Sequence, residues 1–379
     1  MKPLKIAIVG AGQFAPCFIP LFQAHPFVGQ VSLCEAMPDR LRAEADRFKI
    51  ARRFASFEEV LKSDVDAVAI FTQRWTHAPL ALRALRAGKH VYSAVPAATT
   101  LEELNDLIEA VKRTGLTYMM GETSMYYGNR LYVKERWDAG DFGRFVYGEG
   151  EYYHDMQHGF YDAYRYSGGQ DWKRTASYPP MLYPTHSVAM VLSITGARMT
   201  SVSCLGCRDA NDDGVFREEV SLWRNVFSNQ SALFRTSDGG MARINEFRRV
   251  GQQGGRSVRV SLYGTQGSFE EQSDGAIWTG LTTPVQDVES IVHCADARFG
   301  EIHEKYLSRL PKAFDNQPNG HEGSHQFLTD DFLTAVVGGK HPTVSVWDAA
   351  RFNAPGIVAH ESAKREGEVM KIPDFGTPP

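Results

Sequence analysis

The chain of 379 residues carries 41 Lys and Arg against 45 Asp and Glu, a formal net charge of -4 with a sequence pI near 6.3. That balance lacks the basic excess that nucleic acid demands, so small molecules are the expected partners. The length exceeds what one hydrophobic core usually organises and predicts two domains. No apolar run is long enough to span a bilayer, and the start, Met1-Lys2-Pro3-Leu4-Lys5, leads straight into a strand pattern rather than a secretory leader. The cysteines, Cys17, Cys34, Cys204, Cys207 and Cys294, are odd in number and scattered, which suits a reducing cytosol. A cytoplasmic protein without a membrane partner is expected.

Short β-branched runs at 6–9, 31–34, 67–71, 90–92 and 117–120 alternate with helical patterns at 38–48, 77–87 and 101–114, and Gly88 and Gly115 stop two of those helices. This rhythm predicts a doubly wound parallel sheet over residues 1–123. After Gly121 the pattern changes. A helix is expected over 130–139, a strand over 145–153 and a helix over 186–195, followed by strands at 200–204, 231–236, 240–247 and 258–264 joined by Gly-rich turns. Helices at 321–337 and 347–366 and an extended 369–372 close the chain. The second domain, 124–379, is thus expected to be an α/β unit with an open, largely antiparallel sheet, its C-terminal helix able to pack back on the first domain. Cys204-Leu205-Gly206-Cys207 has the spacing of half a zinc site, but only His293-Cys294 offers further ligands, so two partly buried thiols on a strand and no metal are expected.

Gly10-Ala11-Gly12-Gln13-Phe14-Ala15 follows the first strand and opens the first helix, where a dinucleotide fingerprint belongs. Gly10 permits the tight turn, Gly12 lets backbone approach a pyrophosphate, and Ala15 lets helix and strand pack closely. Glu35 ends the second strand where an acidic residue would bind the adenosine ribose hydroxyls, favouring NAD; nearby Arg40 leaves NADP open.

From Gly88-Lys89-His90-Val91 onward the chain resembles the Gfo/Idh/MocA oxidoreductase superfamily. Most of its dehydrogenases continue with Glu-Lys-Pro, the lysine joining in proton transfer; here the tripeptide is Ala94-Val95-Pro96, and valine cannot carry a proton. Val95-Pro96-Ala97-Ala98, Glu122 with Tyr126, Gly148-Glu149 with Tyr152 and His154-Asp155, Tyr183-Pro184-Thr185-His186, Gly320-His321 and Pro373-Asp374-Phe375 together resemble the superfamily's NAD-dependent glycosidases, such as α-N-acetylgalactosaminidases. Where that branch tends to have Gly-His-Gly-Gly-Met-Asp, this chain has Gly320-His321-Glu322-Gly323-Ser324-His325.

The resemblance implies NAD as cofactor, held by Gly10, Gly12, Gln13, Phe14, Ala15, Glu35, Arg40, Thr72, His77, Val95 and Pro96. It implies a redox-neutral hydrolysis in which carbon 3 of a sugar is oxidised by NAD, the carbon-2 proton is removed, the aglycone leaves, water adds and the hydride returns. His186 suits the carbon-3 hydroxyl because an ordinary histidine exchanges protons near neutrality, with Tyr183 orienting or relaying. Tyr152 is the candidate base for carbon 2, and it needs positive charge nearby to ionise readily. Glu122 would tune Tyr152 or protonate the leaving group.

Tyr126, His154, Trp172, Lys173, Arg174 and His325 are the expected substrate contacts. The aromatics and cations of 161–174 suit an anionic glycoside such as a sulfoquinovoside, or form a solvated loop. A sugar dehydrogenase using His186 without a lysine, and a non-catalytic NAD-binding sensor, are the rival functions. Relatives commonly pair through the second-domain sheet, so a homo-oligomer is expected.

Overall fold

The computed structural model describes residues 2–252, 256–293 and 301–378. The chain divides into two compact units, one of Met1–Thr123, Tyr306–Ala350 and Phe375–Pro379, the other of Ser124–Lys305 and Arg351–Asp374. The segment from Tyr306 to Ala350 therefore folds with the N-terminal unit, an extension of the expected boundary. The cause is aromatic packing, since Phe332 of the helix Ser324–Gly338 lies with its ring centroid 5.7 Å from Tyr92 and 6.5 Å from Phe22. The division near the other end, Ala350/Arg351, falls inside the helix Val346–Lys364.

The first unit holds a six-stranded parallel sheet of β1 (Leu4–Val9), β2 (Val28–Cys34), β3 (Arg52–Phe54), β4 (Ala67–Ile70), β5 (His90–Ser93) and β6 (Tyr118–Met120). The spatial order β3-β2-β1-β4-β5-β6 puts the reversal between β1 and β4, beside the glycine turn. β4 is buried at every position, as a strand covered on both faces requires. The helix Leu101–Thr114 shows why its ends were readable from sequence. Thr100 accepts the Glu103 N–H, and Gly115, at φ 66°, closes the other end.

The second unit is built on β7 (Phe145–Tyr153), β8 (Met199–Arg208), β9 (Phe227–Thr236), β10 (Met241–Phe247), β11 (Val258–Gly264), β12 (Gly267–Glu271), β13 (Ala276–Gly280), β14 (Gln286–Asp287) and β15 (Met370–Lys371). Their order is β14-β13-β12-β11-β7-β10-β9-β8-β15, antiparallel throughout except for the central β7/β10 pair, which runs parallel and sets Tyr152 beside Glu246. The helix Thr185–Thr195, with nine of its eleven residues buried, packs on this centre. It comes so close that a Cβ on Gly150 of β7 would lie 2.0 Å from the Ser187 carbonyl oxygen, so only glycine fits there. Residues 161–176, where a loop was the alternative, form the helices Tyr161–Gly168 and Trp172–Ala176 over a small core of Met156, Tyr164, Ala176, Val215 and Phe216.

Among the described residues no helix is long and apolar enough to cross a membrane. Cys204 and Cys207 are three apart on β8 and so face opposite ways, Cys204 buried and Cys207 exposed, and cannot share an ion. Cys294 lies outside the described residues. No group of three or more His, Cys, Asp or Glu side chains among the described residues is placed to hold a metal.

Candidate active site

The first unit carries the nucleotide turn. Gly10 sits at φ +89°, and a Cβ there would lie 2.9 Å from Thr72 Cγ2 and 3.0 Å from the Phe71 carbonyl oxygen, so glycine is required by both conformation and contact. Gly12 differs: a Cβ there would meet nothing within 4 Å. The turn thus presents backbone to open space at the position where a dinucleotide fingerprint brings a pyrophosphate. Ala15 is fully buried, Gln13 is exposed, and the Phe14 ring lies 5.1 Å from Phe18 and 6.0 Å from Phe71.

Glu35 is 9% exposed, and its carboxylate accepts from the Ala11 N–H at 2.9 Å and the Met37 N–H at 3.0 Å. An ionised carboxylate has acceptor capacity beyond two bonds, so the group is fixed in place and still able to receive ribose hydroxyls. Arg40 lies 3.8 Å from it. These features fit NAD. Thr72 bonds Thr76 through its hydroxyl, and its carbonyl lies 3.0 Å from His77 Nε2. His77 Nδ1 is 2.8 Å from the Pro96 carbonyl oxygen, and burial lowers the histidine pKa. His77 is therefore a buried brace behind the Val95–Pro96 segment, whose peptide is cis.

Glu122 is fully buried at the end of the first unit's N-terminal stretch, close enough to raise the Tyr92 phenol pKa further after burial has done so. His325 is a correction. Expected at the substrate, it is 1% exposed, wedged against Phe18 at 4.3 Å and Phe14 at 5.5 Å, and bonded to His321 at 2.9 Å. Burial pushes its pKa far down and keeps it neutral. The exposed ring at this loop is His321, held at φ 48°.

In the second unit the structure brings three expected residues together. Tyr152 lies 5.2 Å from His186 and 6.0 Å from Tyr183, and Tyr183 lies 5.3 Å from His186, all between ring centroids. His154 is 5.6 Å from Tyr152 and stacks on Phe160 at 4.0 Å. Tyr126 is buried, its carbonyl 2.7 Å from His303 Nε2. Tyr153, one residue on from Tyr152, faces the other side of the sheet, stacked on Phe247 and bonded to Glu151.

Beneath the rings lie two charges that sequence reasoning passed over. Glu246, on β10, is completely buried; it accepts from the Ser187 hydroxyl at 2.5 Å and from Arg248 at 2.8 Å. Burial pushes its carboxyl up to about 7, against the pull of Arg248, Ser187 and His186. The Arg248 guanidinium lies 4.7 Å over the Tyr152 ring and donates to the Phe247 carbonyl at 3.0 Å. A signal was available: Ala242, Ile244, Glu246 and Arg248 share the inward parity of one strand, where two charges interrupt an apolar face.

Trp172 and Lys173 lie elsewhere. They line a groove of about 480 Å³ together with Tyr161, Arg165, Asp162, Asp212 and Asp213, and none of Tyr152, Tyr183, His186 or His154 lines it. Three carboxylates there outnumber two cations. Asp162, Asp212 and Asp213 thus offset the cations on which the expected grip on an anionic sugar through Lys173 relied. Arg174 is exposed and does not line the groove.

A parallel sheet with a glycine turn at its reversal, paired with a mixed open sheet carrying a Tyr and His cluster, defines a two-unit nicotinamide-dependent oxidoreductase architecture. Residues 4–122 match the family described as oxidoreductase family, NAD-binding Rossmann fold. Over 98% of its length the chain is 29% identical to a glycosyl hydrolase family 109 protein of Streptomyces niveus, covering 77% of that protein. It is 28% identical to one of Streptomyces filamentosus, again over 98% of this chain and 77% of the relative. A levoglucosan dehydrogenase solved in complex with NADH shares the fold, with a TM-score of 0.77 over 99% of this chain and 100% of that one at 18% identity. Residues 4–122 form an NAD-binding Rossmann domain of the Gfo/Idh/MocA oxidoreductase type.

Proposed function

We propose that the chain is an NAD-dependent, redox-neutral glycoside hydrolase. The observation that carries the reading is the cluster of Tyr152, Tyr183 and His186, with centroids 5.2 to 6.0 Å apart, in a chain with Val95 where dehydrogenases of the family resemblance carry lysine. The similarity to family 109 glycosyl hydrolases over nearly the whole chain supports it. When bound, NAD supplies a reversible hydride acceptor for carbon 3 of the sugar.

His186 takes the proton of the carbon-3 hydroxyl as that carbon is oxidised, and Tyr183 orients it. The ketone acidifies the neighbouring position, and Tyr152 removes the proton from carbon 2. The aglycone leaves carbon 1 with its bonding pair and gains a proton, and water then adds hydroxide to carbon 1 and a proton to carbon 2. Carbon 3 is finally reduced back to the alcohol as His186 returns its proton to the oxygen, so the net change is cleavage of one glycosidic bond by one water.

The test is a panel of aryl glycosides of both anomers, including N-acetylgalactosaminides and sulfoquinovosides, run in deuterated water with NAD far below substrate. Hydrolysis with deuterium at carbon 2 and no accumulated NADH is expected. Stoichiometric NADH from a free sugar would assign a dehydrogenase instead, and inactivity across the panel removes the reading.

A further inference from the structure

A phenol serving as a base in a buried site has to be deprotonated at working pH, and burial opposes that. Tyr152 is 7% exposed. The groups facing it are Glu246 and Arg248 from the β10 segment, His186 from the helix Thr185–Thr195, Tyr183 from the turn before that helix, and His154 just past the end of its own strand, while its partner on β11 is the apolar Val258. Of these, Arg248 alone carries a charge of fixed positive sign.

Arg248 is also the most constrained. Its side chain is 6% exposed, one arm is held by the buried Glu246, another by the Phe247 carbonyl, and its own N–H is bonded to Ser228 and Asn229 at 3.0 and 2.9 Å. The fork cannot swing to solvent without leaving the buried Glu246 only the Ser187 hydroxyl as a side-chain partner. A guanidinium in water would be screened; here the same charge lies 4.7 Å from the ring centroid and both side chains are buried.

We propose that Arg248 is a positioning residue for Tyr152, its clamped guanidinium lying over the phenol face to stabilise the phenolate that takes the carbon-2 proton. This rests on the role given to Tyr152 above. Glu246 holds the fork in place, and because its carboxyl is pushed up towards neutrality it cancels only part of the Arg248 charge.

The experiment is a pH titration of protein labelled with carbon-13 at tyrosine Cζ, with the Tyr152 resonance assigned by Tyr152→Phe. It is run on the wild type, Arg248→Met, Arg248→Gln and Arg248→Lys. Loss of the cation is expected to move the Tyr152 ionisation midpoint upward by at least about one pH unit, with Arg248→Lys recovering part of the shift. The acidic limb of kcat/KM should move to higher pH in the same order. Arg248→Gln keeps a hydrogen-bonding arm for Glu246 and carries the test if Arg248→Met does not fold. A Tyr152 midpoint unchanged in a folded neutral variant overturns the assignment. The titration needs no substrate, so a shifted midpoint beside an inactive glycoside panel would sink the hydrolase reading alone.

Discussion

Alanine at Gly10 and alanine at Gly12 should fail in opposite ways, although the two glycines stand two residues apart in one turn. At Gly10 an alanine would have to adopt φ +89°, which costs about 1–2 kcal/mol for an L-residue outside the right-handed regions. Its methyl would also press on the Phe71 carbonyl, which cannot retreat because the Phe71 N–H is bonded to Val9 at 2.8 Å; such overpacking adds about 1–3 kcal/mol. Gly10→Ala should therefore lose about 2–5 kcal/mol of stability, seen as a clear fall in Tm. Gly12→Ala places its methyl in open space, so Tm should hold or rise slightly through the lost freedom of the unfolded chain. That same methyl would occupy the approach to a pyrophosphate, and calorimetric titration with NAD should show at least about tenfold weaker binding, about 1.4 kcal/mol. A Gly12→Ala protein that binds NAD as the wild type does would refute the placement of the phosphates over this turn.

Glu35→Ala should weaken NAD binding and raise the ratio of NADP to NAD affinity, because Arg40 loses the carboxylate 3.8 Å away; parallel titrations with both nucleotides measure it, and an unchanged ratio counts against the role of Glu35. Glu246 binds its proton more tightly folded, at about 7, than at its ordinary 4.5, so it contributes stability that is full below about pH 4.5 and lost as pH rises through about 7. Glu246→Gln cannot lose that proton, so its stability relative to wild type should rise by about 3 kcal/mol between about pH 4.5 and about pH 8, read from denaturant unfolding at a series of pH values. Lys173→Ala, in a groove separate from the ring cluster, should change kcat/KM for any glycoside cleaved by less than about threefold, and a larger loss confined to anionic sugars would restore the charged-substrate expectation.

What depends on neighbours along the chain could be read from the residues directly. The Gly10–Ala15 turn, the cap residues Thr100 and Gly115, and the alternation of short strands with helices were legible because dihedral preference and side-chain period are local properties. Tyr152, Tyr183 and His186 were marked by resemblance, and their convergence needed the helix Thr185–Thr195 to settle on β7 at Gly150. Only the tertiary structure decided the parallel pairing of β7 with β10, which sets Glu246 and Arg248, nearly a hundred residues along the chain, against Tyr152. It also put His325 behind His321 and surrounded Lys173 with Asp162, Asp212 and Asp213. Burial and the sign of a local field are set by whichever residues share a volume, and sequence distance carries no record of that.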